Sequence, residues 1–154
     1  MEIKIVSKKQ RRDIENLLKE NFDLKLEFSH AFVRFGKDKI RLFTGDISEQ
    51  DINTLHSLVR IDNIGSYFAF FKDNELRINF DVLNLFRKKV NKNILELNKE
   101  QAEQWMLGKN LEISQKFSSK IILIKYKDDL LGSGKISERL WNFVPKERRT
   151  NLIN

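Results

Sequence analysis

The residues best suited to chemistry lie near the carboxyl end of the chain, where cations alternate with large aromatic side chains. From residue 130 onward there are five Lys or Arg and two Glu, whereas residues 93–129 hold six of each sign, so the excess positive charge of the carboxyl-terminal part lies in this tail. Cations attract phosphates, and an aromatic face stacks on a base. The pattern indicates a surface for a polyanion that carries stackable bases. We predict phosphate contacts for Lys135, Arg139, Lys146, Arg148 and Arg149.

Two aromatic residues lie inside this basic tail. Trp141 could stack on a base, or it could pin the tail onto the rest of the fold, and the sequence favours neither. For Phe143 we predict packing. The alternative for the whole segment is a frayed, solvated tail, since terminal segments are often disordered.

Other short motifs could also meet an anion. Lys109 and Asn110 follow Gly108 and could present backbone N–H groups to RNA, although an ordinary helix end is the stronger interpretation. Gly132-Ser-Gly134 lacks the Lys-Ser/Thr that opens a helix after a phosphate loop, so it predicts a tight strand or a bulge.

A second basic cluster lies near the amino end. Lys8, Lys9, Arg11 and Arg12 occupy the first turns of a predicted helix, where cations oppose the helix dipole. This cluster could face RNA, but a solvated helix face is the slightly stronger interpretation.

The sequence offers little for catalysis. With no Cys there is no thiolate nucleophile and no disulfide. His30 and His56 are far apart and lack a metal-binding pattern, and the adjacent Asp128 and Asp129 suit a turn rather than an acid–base pair. No Ser–His–Asp arrangement or Gly-rich nucleotide loop is visible. We therefore expect no catalysis, no metal and no cofactor.

Composition narrows the class of partner. The chain has 154 residues, a formal charge of +7 and a pI near 9.6, which favours nucleic acid or an anionic surface. A Lys-rich protein without such a partner is the alternative. No apolar run approaches the ~18 residues of a membrane span, and no signal peptide is visible. The expected location is the cytoplasm.

The elements that must position these residues follow from periodicity and capping. In residues 1–92 we predict an α/β domain with a mostly antiparallel sheet. The predicted helices begin after Ser7, after Ser48 and at Asp81. The predicted strands are Leu24–Phe28, Ala31–Phe35, Ile40–Phe43, Gly65–Phe71 and Leu76–Phe80, the last two joined by a four-residue loop.

A polar, turn-prone stretch, Arg87–Asn93, is the predicted domain boundary and an exposed connector. Beyond it, residues 93–154 form the second predicted domain. Asn98 and Gln101 have the spacing that caps a helix, and Trp105 lies on its apolar stripe. The predicted strands are Ile94–Leu97, Leu111–Ile113, Lys120–Tyr126 and Leu130–Ile136.

The order of these motifs carries a resemblance. A strand, a capped helix ending in Leu107-Gly-Lys-Asn110 and the segment Lys127–Ile136 together resemble a PUA domain. PUA domains are small, β-barrel-like RNA-binding modules. The resemblance covers about Gly65 to Arg149 and implies an α+β fold whose second domain is PUA-like.

Two relatives are most similar. One is the ribosome-biogenesis factor of the Nip-seven type, whose Gly-x-x-Phe-x-x-Phe strand is approximated by Gly65–Phe71. The other is the RNA-binding region of RNA cytosine-C5 methyltransferases. There a Gly-x-Gly-Lys strand leads into a Pro-Lys-x-x-Arg tail, similar to Gly132–Lys135 and Pro145–Arg149.

The resemblance implies a non-catalytic protein that binds structured RNA during maturation or modification of ribosomal RNA. Transfer RNA is the alternative target, DNA specificity is not expected, and a partner could be an RNA methyltransferase or a ribosome-assembly factor. Two other hypotheses stay open. One is an RNA-modifying enzyme with an unrecognised site in the amino-terminal domain, and the other is a protein–protein adaptor in ribosome assembly.

Overall fold

The structure is a computed structural model that describes residues 3–152. Its strands form two sheets and the helices lie beside them, so the predicted α+β class is confirmed. Residues 3–92 contain β1 (Ile3–Ile5), α1 (Lys8–Phe22), β2 (Ala31–Phe35), β3 (Lys39–Phe43), α2 (Glu49–Leu58), β4 (Ser66–Lys72), β5 (Glu75–Ile78) and α3 (Phe80–Leu83). Later residues contain β6 (Ile94–Glu96), α4 (Lys99–Met106), β7 (Ile121–Tyr126), β8 (Asp129–Ile136) and β9 (Leu140–Asn142). Two single 3₁₀ turns cover Asn84–Phe86 and Lys146–Arg148.

The first sheet is an antiparallel meander in the order β1-β2-β3-β4-β5. The predicted strand Leu24–Phe28 is wrong, because the edge of β2 that it would need is occupied by β1. Asp23 ends α1 in the left-handed conformation, and the Leu24 amide then bonds to the carbonyl of Leu18. Leu24 is buried, so its apolar side chain serves the core without a strand.

Local capping signals set the helix starts. The Ser7 hydroxyl accepts a hydrogen bond from the Gln10 amide, and Ser48 and Asp51 form a complete capping box at the start of α2.

The β4–β5 hairpin differs from the prediction. Lys72 pairs with Glu75, so the loop has only two residues, Asp73 and Asn74, both with positive φ. Asp and Asn tolerate that conformation better than most residues, which makes the tighter turn accessible.

The second sheet has the order β6-β7-β8-β9, with β6 parallel to β7 and the other pairs antiparallel. Among residues 3–152 no pairing joins β6 to β9, so this sheet is open rather than a closed barrel. The predicted strand Leu111–Ile113 is reduced to one bridge between Leu111 and Leu140. Helix α4 begins at the predicted Asn98–Gln101 capping box.

The two glycines of β8 allow a bulge in the strand and a close approach of α4 to the sheet. Gly132 has φ +96° and lies where the β7–β8 register shifts, so the predicted bulge is confirmed. A Cβ atom on Gly134 would lie 2.7 Å from the Trp105 ring and 2.8 Å from the Trp141 carbonyl oxygen. Trp105 is fully buried there, and its indole N–H donates to the Leu131 carbonyl at 2.7 Å.

The larger hydrophobic core crosses the predicted boundary. Leu76 and Leu83 of the amino-terminal part share it with Ile121, Leu123 and Leu130. The two sheets therefore pack on a common interior. The division at residue 92 itself stays a prediction.

The connector between the two sheets, residues 87–93, is anchored by buried side chains. Its cations are exposed as predicted, but Val90 is only 4% exposed and Asn93 only 8%. The Asn93 side chain donates to the Asn21 carbonyl at 2.6 Å and accepts from the Ser118 amide at 3.0 Å. The expectation of a fully exposed connector was thus wrong at these buried positions.

Candidate nucleic-acid interface

The basic tail is ordered by the second sheet. Strand β9 pairs with β8, which sets Lys135 opposite Trp141, and Leu140 and Val144 are buried. After the 3₁₀ turn, the Thr150 amide donates to the Met106 carbonyl at 3.0 Å. A frayed tail is therefore not what the structure shows for residues up to 152. The sequence did not predict β9, because its three residues are too short to show a period.

Trp141 offers an aromatic surface on this strand. Its side chain is 44% exposed, and its indole N–H donates to the Ser137 hydroxyl at 2.8 Å. The Arg139 guanidinium lies over the ring, 5.7 Å from its centroid. The Arg139 Nε is also 4.0 Å from the Glu112 Oε1. A fixed, half-exposed ring with a cation beside it is suited to stacking on a base. The role of Trp141 in binding stays a prediction.

Two of the predicted cations already face carboxylates from the amino-terminal part. Lys135 forms an ion pair with Glu75, and the Arg148 Nε lies 2.7 Å from the Asp81 Oδ1. Asp81 raises the pKa of Arg148 above its ordinary value through this hydrogen bond and its charge. The Arg148–Asp81 pair is half exposed on both sides and contributes little to stability, so a phosphate can replace its carboxylate at small cost.

Lys146 and Lys109 differ from those two cations. Both are exposed, and across residues 3–152 neither has a carboxylate within ion-pair distance. Their charge is therefore not offset locally. Of the predicted phosphate contacts, Lys146 meets the least competition within the protein.

Arg149 packs over the end of α4. Gly108 has φ +87°, and a Cβ atom there would lie 2.3 Å from the Arg149 Nε. That Nε donates to the Val144 carbonyl at 3.3 Å. Arg149 thus helps to hold the tail against the helix, in addition to any contact with a phosphate.

The segment after Gly108 is used inside the fold. The Gly108 and Lys109 amides donate to carbonyls of α4, and the Asn110 side chain accepts from the Asn142 amide at 2.9 Å. The Asn142 side chain in turn donates to the Lys109 carbonyl at 3.0 Å. The amides of Gly108 and Lys109 are thus not free for RNA, and the helix-end interpretation fits better.

The basic turns of α1 stand apart from the tail. Arg11 bonds Glu15 at 3.0 Å, whereas Lys8, Lys9 and Arg12 are exposed. No acidic residue in the first turn of α1 offsets them. The structure brings none of these cations into contact with the predicted tail residues.

Other kinds of site find no support in the described part of the chain. No group of three or more His, Asp or Glu side chains within residues 3–152 could hold a metal ion. No helix in the same range has the length and apolar character needed to cross a bilayer.

This chain is similar in sequence to part of a known ribosomal RNA methyltransferase. Residues 92–150 match the family model described as the methyltransferase RsmF PUA domain. The chain is 28% identical over 156 aligned residues to the ribosomal RNA small subunit methyltransferase F of Vibrio campbellii (strain ATCC BAA-1116). That alignment covers 96% of this chain but 31% of the relative, so the chain spans less than a third of the relative's length. Residues 92–150 are a PUA domain related to that of methyltransferase RsmF, and the prediction of a PUA domain is confirmed.

Proposed function

We propose that this chain is a non-catalytic RNA-binding protein that acts in the modification of ribosomal RNA. The observation that carries the proposal is the match of residues 92–150 to a PUA domain, since the same segment holds the ordered basic tail. Structured ribosomal RNA is the proposed ligand and the cytoplasm the proposed location.

The electrostatics of the chain support this ligand. Its formal charge is +7, and the tail adds Lys146 without a carboxylate partner in the described range. Phosphate contacts give affinity without reading sequence, whereas stacking on Trp141 would favour unpaired bases. Such a surface suits the junction between a paired and an unpaired region.

The proposal assigns the chemistry of methylation to a partner. Cytosine C5 becomes a nucleophile only after a thiolate adds to the ring, and these 154 residues contain no Cys. The relative is named a methyltransferase, and the aligned part is under a third of its length. We therefore propose that the chain binds RNA beside an RNA methyltransferase that supplies the catalytic groups.

Crosslinking of the protein to RNA in its own cells tests the proposal. Ultraviolet crosslinks should concentrate at a few positions of small-subunit ribosomal RNA. Replacing Lys146 and Arg148 together by Ala should deplete those positions, while Lys25→Ala, which removes one exposed charge elsewhere on the surface, should not. Crosslinks that follow RNA abundance alone, with no preferred position, would contradict the proposal.

A second candidate function is that of a protein–protein adaptor, and one observation favours it. Around α2 several large apolar side chains are exposed, with Leu58 at 75% and Val59 at 56%. Monomeric proteins rarely leave such neighbours uncovered together. Sedimentation of the chain mixed with the methyltransferase of its host should show a complex that Leu58→Ser weakens. A complex unaffected by that change, or none, would leave the exposed residues without this role.

A further inference from the structure

A cavity of about 340 Å³ lies where the two sheets meet. Strand β4 contributes Tyr67 and Phe70, and β5 contributes Arg77. The other side is built by Ser133 of β8 and Phe143 of the tail. Both halves of the chain are thus needed to form it, and no sequence motif singled it out.

The aromatic wall of the cavity is held in place by one cation. The Arg77 guanidinium lies over Phe70 at 4.2 Å from its centroid and over Phe143 at 4.4 Å. Because each ring packs against the guanidinium, the tail is fixed beside β4. Tyr67 lies on the same wall with the Lys39 ammonium 5.6 Å from its ring centroid. The cavity therefore has rigid π-surfaces and a positive edge.

The opposite wall carries polar groups without partners. Ser133 is only 5% exposed, and its hydroxyl makes no hydrogen bond to any described residue. The Asn79 side-chain oxygen accepts from the Asp81 amide at 2.7 Å, and its NH₂ group donates to no described residue. The Ser133 hydroxyl and the Asn79 NH₂ group are therefore free to bond a ligand atom that enters the cavity.

We propose that this cavity binds a single unstacked nucleobase of the bound RNA. Aromatic rings complement the faces of a base, and a hydroxyl and an amide can meet the acceptors on its edge. The volume lies at the lower end of the ~300–1,000 Å³ of ligand pockets, which fits one base better than a large cofactor. Asp81 links this wall to the tail, because it bonds both Asn79 and Arg148. The inference rests on the proposed function, since it assumes that RNA is bound.

The test compares single-stranded RNA with its base-free equivalent. One probe is a fluorescein-labelled uridine oligomer of about 12 nucleotides, within the ~4–16 that a strand-binding module spans. The other has the same length with abasic sites at every central position. Fluorescence anisotropy at fixed salt should show tighter binding of the uridine oligomer by about 5- to 150-fold, the factor expected from one stacked base.

Two variants with matched controls assign the preference to the cavity. Ser133→Ala removes the hydroxyl, and Asn79→Ser keeps an oxygen that can cap α3 but loses the NH₂ donor, without a change of charge. Each should reduce the preference for bases by about 2- to 12-fold, as for one hydrogen bond, with little change in binding of the abasic oligomer. The controls Ser114→Ala and Asn16→Ser make the same chemical changes at exposed positions and should leave both affinities as in the wild type.

The outcomes separate this inference from the proposed function. Equal binding of both oligomers would overturn the nucleobase site and leave RNA binding intact. A preference for bases that both variants retain would also overturn it, since the bases would then be bound elsewhere. Failure to bind either oligomer, with structured ribosomal RNA also unbound, would overturn the proposed function and this inference together.

Discussion

The charge of the tail gives the sharpest prediction about RNA binding. Each cation that neutralises a phosphate adds about 0.7 to the slope of log affinity against log salt for a single strand, and about 0.9 for a duplex. Lys146 has no carboxylate partner in the described range, and Arg148 has one that is half exposed. Replacing both by Ala should therefore reduce the slope by about 1.4 on a single strand. Between about 50 and 200 mM salt, each contact corresponds to a difference in affinity of about 2.6-fold on a single strand and about 3.5-fold on a duplex.

The ion pair between Arg148 and Asp81 allows a perturbation in the opposite direction. Asp81→Asn removes the competing carboxylate and leaves the guanidinium free for phosphate. Affinity at low salt should then rise, while Arg148→Ala in the same background should remove the gain. If Asp81→Asn lowers affinity instead, the carboxylate positions Arg148 rather than competing for it.

Fluorescence anisotropy over a series of salt concentrations measures these slopes directly. Lys25→Ala serves as the control, because it removes one exposed charge from a different part of the surface. A double variant of Lys146 and Arg148 whose slope equals that of the wild type would show that these tail cations do not contact phosphates. Arg149 is a poorer test, since its contacts with the Val144 carbonyl and Gly108 also hold the tail in place.

Further predictions follow from other parts of the structure. Calorimetric titration with S-adenosylmethionine should give no saturable heat for the chain alone, and micromolar binding would favour the enzyme hypothesis. Burial raises the pKa of Tyr67 above its ordinary 10.0, so the unfolded chain loses this proton first and stability should fall above that pH. Tyr67→Phe should reduce that fall in alkaline denaturation. Asn93→Ala should lower the free energy of unfolding by about 2–4 kcal/mol, because its buried amide joins two other segments. Limited trypsin digestion should cut first at Lys116, in the irregular stretch before β7, and a first cut at residues 87–89 would favour a flexible connector.

Helix starts could be predicted from the sequence because they depend on residues a few positions apart. Ser48 and Asp51 form their capping box within one turn, and Asn98 and Gln101 do the same. The apolar stripe that buries Trp105 also depends only on helical spacing. These features need no knowledge of the rest of the chain.

Strand partners could not be predicted in the same way. Leu24–Phe28 has an alternating pattern, but β1 occupies the edge of β2 that it would need. Leu111 meets Leu140 in a single bridge, since its neighbours find no partner strand. Whether an alternating segment becomes a strand depends on contacts distant in sequence, which the pattern alone does not contain.

The candidate site was likewise predictable from the sequence only in part. The tail cations could be found by composition, and their contact with RNA stays a prediction. Their carboxylate partners, Glu75 and Asp81, come from the other half of the chain. The cavity depends on Arg77 lying between Phe70 and Phe143, which are far apart in sequence. Only the packing of the two sheets creates that arrangement.

The common interior of the two sheets limits how this architecture can be inherited or engineered. A gene segment starting near residue 92 would encode β7 and β8 without Leu76 and Leu83, the surfaces that cover Ile121 and Leu130. Grafted alone onto another protein, it would leave those side chains in water and favour aggregation. The segment that can be transferred as a folded unit is therefore the pair of sheets together. The alignment with the Vibrio campbellii methyltransferase covers both sheets.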